Sequence, residues 1–298
     1  MRMRVVRPFD PWANPLCTCP PKYSLNPYTG CGHMCMYCYI TSYIRRPFSP
    51  RPKEGLIAKL AKDVRELNRS IYVSMSNSSD PYTPPEAELG LTREALRLLM
   101  SSGIRVLLVT KSALVLRDLD IIRRGPASVS MTVTTLDDAL ARRLEPRASP
   151  PSERLKALRA LSESGVPCSA RVDPLIPGLN DDEVSLRGLV RELARAGVRH
   201  VVSSTYKARW DSLGRLATAF PELAGKLREL YVEEGEAMGG YRYLPRPLRR
   251  EMLKALADVV SEEGLTFAVC REGFTDLNTG ETCDGSHLIP SPEVGSRV

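Results

Sequence analysis

The chain has 298 residues, of which 43% are hydrophobic, and it carries a formal net charge of +7. No stretch approaches the ~20 consecutive apolar residues of a membrane span, and no apolar signal segment follows the basic N-terminus. These properties argue against a membrane protein and predict a cytoplasmic protein with a sizeable core.

The first 22 residues are rich in proline and are expected to be irregular. Beyond them, short apolar runs with strand character alternate with amphipathic runs of helical periodicity. Six strands are predicted, at residues 23–26, 71–76, 104–109, 129–134, 167–173 and 198–203. Helices are predicted between them at residues 56–67, 92–101, 116–123, 137–144, 152–164, and after the fifth strand at 181–196.

This order of elements predicts the fold class. Strands that alternate with helices pair in parallel through right-handed crossovers. Because six strand–helix units are fewer than the eight of a closed barrel, we expect an α/β fold with a partial, TIM-like (β/α)6 barrel. The alternation stops after residue 210, where helices at 223–234 and 248–263 and a strand at 265–270 are predicted. We therefore divide the chain into an irregular N-terminal extension (1–22), a barrel core (23–210) and a mostly helical C-terminal accessory region (211–298).

Three of the eight cysteines stand close together after the first predicted strand. Cys31, Cys35 and Cys38 have the spacing Cys-x3-Cys-x2-Cys, and Tyr37 directly precedes the third. A structural zinc site normally has four protein ligands, whereas three thiolates can bind three irons of a [4Fe–4S] cluster and leave the fourth iron open. An open iron can bind a cofactor or substrate, so the pattern favours a reactive cluster. The alternative is a cysteine-rich loop that binds zinc or no metal.

The cysteine motif and the segments around it resemble the radical S-adenosylmethionine (radical SAM) enzymes, and within them the spore photoproduct lyase-like proteins. The resemblance extends from Ser24 to Asp181 and includes residues 80–86, 111–118, 134–137, 145–147 and 174–181. It implies a radical SAM core fold, a [4Fe–4S] cluster, S-adenosylmethionine, and a one-electron donor such as ferredoxin or flavodoxin. The implied reaction is reductive cleavage of S-adenosylmethionine to methionine and a 5′-deoxyadenosyl radical, which abstracts hydrogen from a substrate.

Polar residues at the carboxyl ends of the predicted strands are the candidates for cofactor binding, because ligands of parallel barrels bind there. The carboxylate of S-adenosylmethionine needs a cation, which Lys111 or Arg171 can supply, and its amino group needs acceptors such as the serine hydroxyls of residues 76–78. The resemblance implies contacts from a serine after strand two, from Lys111 and from Ser130, and it implies that Tyr37 packs against the adenine. The candidate set is Tyr37, Ser76, Ser78, Lys111, Ser130 and Arg171.

Four further cysteines flank the predicted core and are candidates for an auxiliary [4Fe–4S] cluster: Cys17, Cys19, Cys270 and Cys283. The ends of a barrel chain often lie close together, so these thiols can converge. Reduced buried thiols, one or two disulfides, or a zinc site are the alternatives. Cys168 opens the fifth predicted strand and is a candidate hydrogen donor to a product radical, or else a core residue.

Clusters of basic residues make nucleic acid a candidate partner. They are Arg45, Arg46, Arg51 and Lys53, then Lys207 and Arg209, then Arg246, Arg249 and Arg250. Solvated surface arginines are the alternative interpretation. Three functions follow: a radical SAM enzyme that repairs or modifies nucleic acid, a radical SAM enzyme that acts on a peptide or small molecule, and a non-catalytic protein that binds zinc and nucleic acid.

Overall fold

The computed structural model describes residues 3–9 and 14–291. Its strands are, in chain order, β1 (Arg7–Pro8), β2 (Tyr23–Ser24), β3 (Tyr28–Thr29), β4 (Arg51–Pro52), β5 (Val73–Met75), β6 (Val106–Thr110), β7 (Ala127–Thr132), β8 (Cys168–Leu175), β9 (Val198–Thr205), β10 (Glu236–Met238), β11 (Tyr241–Tyr243) and β12 (Thr266–Val269).

The α-helices are α1 (Leu56–Asp63), α2 (Glu86–Leu89), α3 (Leu91–Ser101), α4 (Leu119–Ile122), α5 (Asp138–Leu144), α6 (Pro151–Glu163), α7 (Glu183–Arg195), α8 (Trp210–Ala219), α9 (Ala224–Arg228) and α10 (Arg246–Glu262). The helix predicted at 223–234 consists of successive parts in the structure. A 3-10 turn at Pro221–Leu223 is followed by α9 and then by a π-helical turn at Glu229–Glu233.

One large sheet organises the molecule, with the strand order β1-β2-β5-β6-β7-β8-β9-β12. Strand β1 is antiparallel to β2, and every other neighbouring pair in this sheet is parallel. In the described part of the chain, β1 and β12 are the two edges and do not pair with each other, so the barrel is open. The predicted α/β fold with a partial parallel barrel is confirmed.

Strand β12 extends this sheet beyond the predicted core. Its register pairs Thr266 with His200 and Val269 with Ser203 of β9. The strand predicted at 265–270 therefore belongs to the main sheet, although we expected it in the accessory region. The division of the chain near residue 210 stays a prediction.

The outer helices form because their apolar residues recur at helical spacing and pack against the sheet. Helix α7 buries Leu186, Leu189, Val190 and Leu193, which is the i, i+3, i+4, i+7 pattern of an amphipathic helix. The Asp182 side chain accepts a hydrogen bond from the Ser185 amide and caps this helix, which satisfies one of its free N–H groups. None of the helices in the described residues has the length and apolarity that a membrane crossing needs.

The C-terminal segment, residues 279–289, covers the face of the sheet opposite the helices. Ile289 packs against Tyr72 and Leu107 on that face. Gly285 has a φ of +78°, and a Cβ atom there would lie 2.9 Å from the Ser169 hydroxyl, so this close approach requires glycine. The segment therefore fills the inside of the open barrel.

His200 lies on the same inner face and is fully buried. Its Nδ1 atom is 2.9 Å from the Thr266 hydroxyl, and its buried Nε2 atom has no hydrogen-bond partner among the residues that the structure describes. Burial lowers the pKa of His200 to about 4; the charges of His287 and Arg171 act in the same direction, and Asp284 opposes them. The imidazole is therefore neutral at neutral pH.

Candidate functional site

A cavity of about 460 Å³ opens at the carboxyl ends of the parallel strands. Cys31, Cys35 and Cys38 all line it, so the structure brings the three cysteines of the motif to one place. Lys111, directly after β6, lines the same cavity. This position agrees with the rule that parallel α/β folds bind their ligands at this edge of the sheet.

Backbone contacts hold the cysteine loop from two sides. The Cys31 amide donates to the Pro47 carbonyl at 2.7 Å, and the Met36 amide donates to the Leu144 carbonyl at 2.9 Å. Gly30 has a φ of +85°, and a Cβ atom there would lie only 2.7 Å from the Pro47 carbonyl oxygen. Glycine is therefore required where the chain turns into the motif.

Asp80 connects the cysteine loop to the end of β6. The His33 Nε2 atom lies 3.2 Å from the Asp80 carboxylate. The same carboxylate accepts hydrogen bonds from the Thr110 hydroxyl and from the Lys111 amide, each at 2.7 Å. Burial opposes ionisation of Asp80, but the charge of His33 and these hydrogen bonds together lower its pKa below the usual range. Asp80 thus fixes the backbone that carries Lys111.

The three thiols of the motif resist ionisation in the protein alone. Burial raises the pKa of Cys31 to about 12. Burial likewise raises the pKa values of Cys35 and Cys38, and the Lys111 charge acts against the rise at all three thiols. Since metal binding requires thiolates, it would release protons from this site.

The Tyr37 side chain is held by a buried ion pair. Its hydroxyl donates to the Glu145 carboxylate, and that carboxylate lies 2.5 Å from the Arg154 guanidinium. Both charged side chains are at most 1% exposed. Lys111 Nζ lies 5.6 Å from the centre of the Tyr37 ring. Sequence reasoning missed Glu145 and Arg154 as supports of the site, because nothing in their spacing shows that they pair with each other.

Five of the six predicted cofactor-binding residues line the cavity: Tyr37, Ser76, Ser78, Lys111 and Arg171. Ser130 is absent from its lining, and Thr132 lines it instead. Strand β7 ends at Thr132, so Ser130 lies on the same face two residues further from the cavity. This placement makes Thr132 the better candidate for a cofactor contact.

Arg171 is already paired within the protein. Its guanidinium lies 2.5 Å from the Asp173 carboxylate, and it interacts with Cys270. The Ser204 hydroxyl also donates to Asp173 at 2.6 Å. Burial opposes ionisation of Asp173, but the charges of Arg171 and Lys207 lower its pKa to about 2. Lys111 is therefore the better candidate to bind a ligand carboxylate.

Cys168 lies at the opposite end of its strand from the cavity. Strand β8 begins at Cys168 and ends at Leu175, and the fully buried Cys168 thiol points to the backbone carbonyl of Val166 at 3.4 Å. Burial raises the pKa of Cys168 to about 12. This placement favours the alternative interpretation of Cys168 as a core residue, and the hydrogen-donor role stays a prediction.

The four remaining cysteines converge beside the first three. Cys17, Cys19 and Cys270 line the same cavity, and the sulfur of Cys283 lies 3.5 Å from that of Cys19. Within residues 3–9 and 14–291, no three His, Cys, Asp or Glu side chains are arranged to hold a single metal ion. A cluster sets a different requirement, because each thiolate binds its own iron.

Tyr39, Tyr241 and Arg271 line the cavity, while Tyr43 lies beside Tyr39 and Arg209 lies against Tyr241. We call these five residues the Tyr–Arg rim. The Tyr39 and Tyr43 ring centres are 6.2 Å apart. The guanidinium carbons of Arg209 and Arg271 lie 4.7 and 5.2 Å from the centre of the Tyr241 ring. Tyr43 is 44% exposed. Sequence reasoning missed this rim, since its members come from distant segments and share no motif.

The predicted basic clusters separate into surface and buried residues. Arg45, Arg46 and Arg51 are exposed. Lys207 and Arg249 are buried instead, and both pair with the Glu272 carboxylate at 2.8 and 3.0 Å. Arg249 therefore belongs to the core, whereas Lys207 also lines the cavity.

Comparisons with known proteins agree with this geometry. The model of the Radical SAM superfamily matches residues 25–190. An uncharacterized protein of Mycobacterium tuberculosis is 31% identical over 253 residues, which cover 79% of this chain and 72% of the relative. A radical SAM Nalpha-GlyT isomerase of Pseudomonas phage M6 is 25% identical over 262 residues, which cover 83% of this chain and 53% of the phage protein.

Among solved structures, spore photoproduct lyase with bound AdoMet and dinucleoside spore photoproduct shares the fold. Its TM-score is 0.63 at 21% identity, with 81% of this chain and 72% of the lyase covered. The superfamily match extends over more than half of the chain and includes the three cysteines of the motif. The chain therefore belongs to the Radical SAM superfamily, whose members are enzymes that use S-adenosylmethionine and a [4Fe–4S] cluster.

Proposed function

We propose that this enzyme abstracts a hydrogen atom from a nucleoside within a nucleic acid. The observation that carries the proposal is the Tyr–Arg rim, because Tyr39, Tyr241 and Arg271 of this set line the same cavity as the three cysteines of the motif. Aromatic rings and arginine planes are the groups on which unpaired bases stack. A base held at this rim would lie next to the site of radical formation.

The residues of the cavity fit the family's cofactors. Cys31, Cys35 and Cys38 supply three thiolates, which suits a [4Fe–4S] cluster with one open iron. Lys111 supplies a cation for the carboxylate of S-adenosylmethionine, and Tyr37 supplies an aromatic ring for its adenine. When bound and reduced by a one-electron donor such as ferredoxin or flavodoxin, the cluster supplies the electron that cleaves S-adenosylmethionine to methionine and a 5′-deoxyadenosyl radical.

The protein's own contribution is positioning. Asp80 holds the Lys111 backbone in place, and Glu145 fixes the hydroxyl of Tyr37. Because both supporting carboxylates are buried, their hydrogen bonds do not compete with water. Holding the cofactor within a cavity limits the access of solvent to a reactive radical, which is the protein's usual task in cofactor chemistry.

Two further observations support a nucleic-acid substrate. The net charge of +7 and the exposed Arg45, Arg46 and Arg51 favour binding of a polyanion. The same fold accommodates a dinucleoside in spore photoproduct lyase.

The test is transfer of deuterium into 5′-deoxyadenosine. Reconstituted, reduced enzyme is incubated without oxygen with S-adenosylmethionine and uniformly deuterated DNA or RNA, and the 5′-deoxyadenosine is analysed by mass spectrometry. Deuterium from DNA or RNA supports the proposal. Deuterium from a uniformly deuterated peptide digest alone, or 5′-deoxyadenosine that never acquires deuterium from nucleic acid, contradicts it.

The role of the rim is tested by binding. Tyr43→Ala should weaken the affinity for single-stranded DNA about 5- to 150-fold, which corresponds to the ~1–3 kcal/mol of one base–aromatic stack. Arg209→Ala should also weaken binding, whereas Arg187→Ala is the matched control, because Arg187 lies on helix α7 and pairs with Glu262. Equal affinities for all three variants and the wild type would exclude the rim as the binding surface.

A further inference from the structure

We propose that Cys17, Cys19, Cys270 and Cys283 bind a second [4Fe–4S] cluster, which joins the two sides of the open barrel. The proposal is independent of the substrate of the enzyme. It rests on the positions of the four sulfurs, on the strands that carry them and on the cations beside them.

The four thiols lie within reach of one another. The sulfurs of Cys19 and Cys283 are 3.5 Å apart, and the Cys17 side chain interacts with Cys19 through a hydrogen bond. Cys270 is near enough for its charge to interact with Cys17 and Cys283. All four are free thiols, and Cys283 is 5% exposed. The sequence separation of 264 residues between Cys19 and Cys283 makes this convergence a product of the fold.

The topology explains why the thiols meet. Cys17 and Cys19 precede β2, which is the first strand of the parallel sheet, and Cys270 directly follows β12, which is the last. Strand β12 bounds the opening of the barrel on one side, and β2 with its antiparallel partner β1 bounds it on the other. Cys283 comes from the C-terminal segment that fills the barrel. A cluster on these four ligands would therefore connect the first strand, the last strand and the inner segment.

Two cations lie beside the sulfurs. Lys22 Nζ is 3.4 Å from the sulfur of Cys19, and the side chain of Lys22 is 4% exposed. Asp284 holds this ammonium group in place at 2.7 Å. On the other side of the site, Arg171 interacts with Cys270. A [4Fe–4S]²⁺ cluster with four thiolates has a net charge of about −2, which such cations stabilise.

The arrangement favours a cluster over a single zinc ion or a disulfide. Zinc requires four ligands at about 2.3 Å from one point, whereas no three Cys, His, Asp or Glu side chains of residues 3–9 and 14–291 are arranged to hold a single metal ion. A cluster spreads its thiolates, because each one binds a different iron. With four protein ligands, this cluster would have no open iron. It would therefore differ from the first cluster in being unable to bind S-adenosylmethionine.

Iron content measures the number of clusters directly. We expect about eight irons per wild-type chain after anaerobic reconstitution, four for each cluster. Cys17→Ala/Cys19→Ala and the single variant Cys270→Ala should each retain about four, and so should Cys35→Ala, which removes a ligand of the first cluster. Cys168→Ala is the matched control: this cysteine belongs to neither group and should leave about eight irons. Circular dichroism shows whether each variant is folded. If the Cys17→Ala/Cys19→Ala variant does not fold, the iron content of Cys270→Ala decides whether the second cluster exists.

Electron paramagnetic resonance assigns the clusters. In reduced Cys35→Ala, the remaining signal should not change when S-adenosylmethionine is added, because every iron has a protein ligand. In reduced Cys17→Ala/Cys19→Ala, the signal should change on the same addition.

Each contrary result has its own meaning. About four irons in the wild type and none in Cys35→Ala would overturn the second cluster and leave the proposed function intact. About one zinc per chain that is lost in Cys270→Ala would also overturn the second cluster. So would a thiol titration of the denatured wild type that finds two thiols fewer than the sequence contains, because these two cysteines would then form a disulfide. Two clusters without hydrogen abstraction from nucleic acid would refute only the proposed function.

Discussion

The buried ion pair behind Tyr37 leads to a quantitative prediction about stability. In Glu145→Gln, Arg154 keeps its charge at 1% exposure, so a buried guanidinium loses its counter-charge. Removing one partner of a buried pair costs about 3–5 kcal/mol. Arg154 retains the carbonyls of Ser149 and Thr132 at 2.6 and 3.0 Å, so we expect a value near the lower limit, about 3 kcal/mol.

The assay is urea unfolding of samples with equal iron content. For a domain of this size, we take an m value of about 3 kcal/mol/M, so the midpoint should fall by about 1 M. Affinity for S-adenosylmethionine should change little, because the amide oxygen of the substituted glutamine can still accept the Tyr37 hydrogen bond. Glu145→Gln thus separates stability from cofactor binding.

The control is an exposed ion pair. Glu222 and Arg143 are each about half exposed, and Glu222→Gln should not move the midpoint measurably. Adding Arg154→Met to Glu145→Gln should recover much of the lost stability, because no unpaired charge then remains in the core. If Glu145→Gln shifts the midpoint no more than Glu222→Gln does, the buried pair does not support the site as described.

Three further predictions concern the cluster, the cofactor and pH. Cys35→Ala should abolish 5′-deoxyadenosine formation, measured by chromatography, and wild-type turnover would reject the cluster assignment. Lys111→Ala should weaken S-adenosylmethionine binding about 10- to 150-fold, since a charged hydrogen bond contributes ~1.5–3 kcal/mol, while iron content stays unchanged; loss of iron would mean that Lys111 acts on the cluster. The folded-state pKa of His200 is lowered from 6.5 to about 4. Stability should therefore be complete above pH 6.5 and decline as pH falls toward 4, because the unfolded chain binds the proton first. Urea midpoints between pH 7.5 and 5 should show a weaker decline in His200→Leu; an identical decline would assign the pH effect elsewhere.

The parallel core was predictable because its signals are local. Apolar runs of strand length separated by amphipathic helices require parallel pairing, whichever residues fill them. The positions of Cys31, Cys35, Cys38 and Lys111 followed from the same logic, since the ends of parallel strands meet at one edge. Strand β12 showed the limit of this reasoning: its residues were recognised as a strand, but its partner in the sheet was not.

The supports of the site could not be predicted, because they depend on contacts between distant segments. Glu145 and Arg154 look like ordinary helix-terminal and helical charges until the fold buries them together. Arg171 and Asp173 are different: they lie two residues apart on one strand and so share a face. Their ion pair was a signal that sequence reasoning could have used before assigning Arg171 to a ligand.

The inner segment at residues 279–289 has a consequence for synthesis on the ribosome. Cys19 emerges early, but its neighbour Cys283 follows 264 residues later, which takes roughly 13 to 50 seconds at about 5–20 residues per second. The nascent barrel must remain unfilled during that interval. Iron delivery to the later site can therefore begin only after Cys283 has been translated, whereas the ligands of the earlier site are all available once Cys38 has been translated.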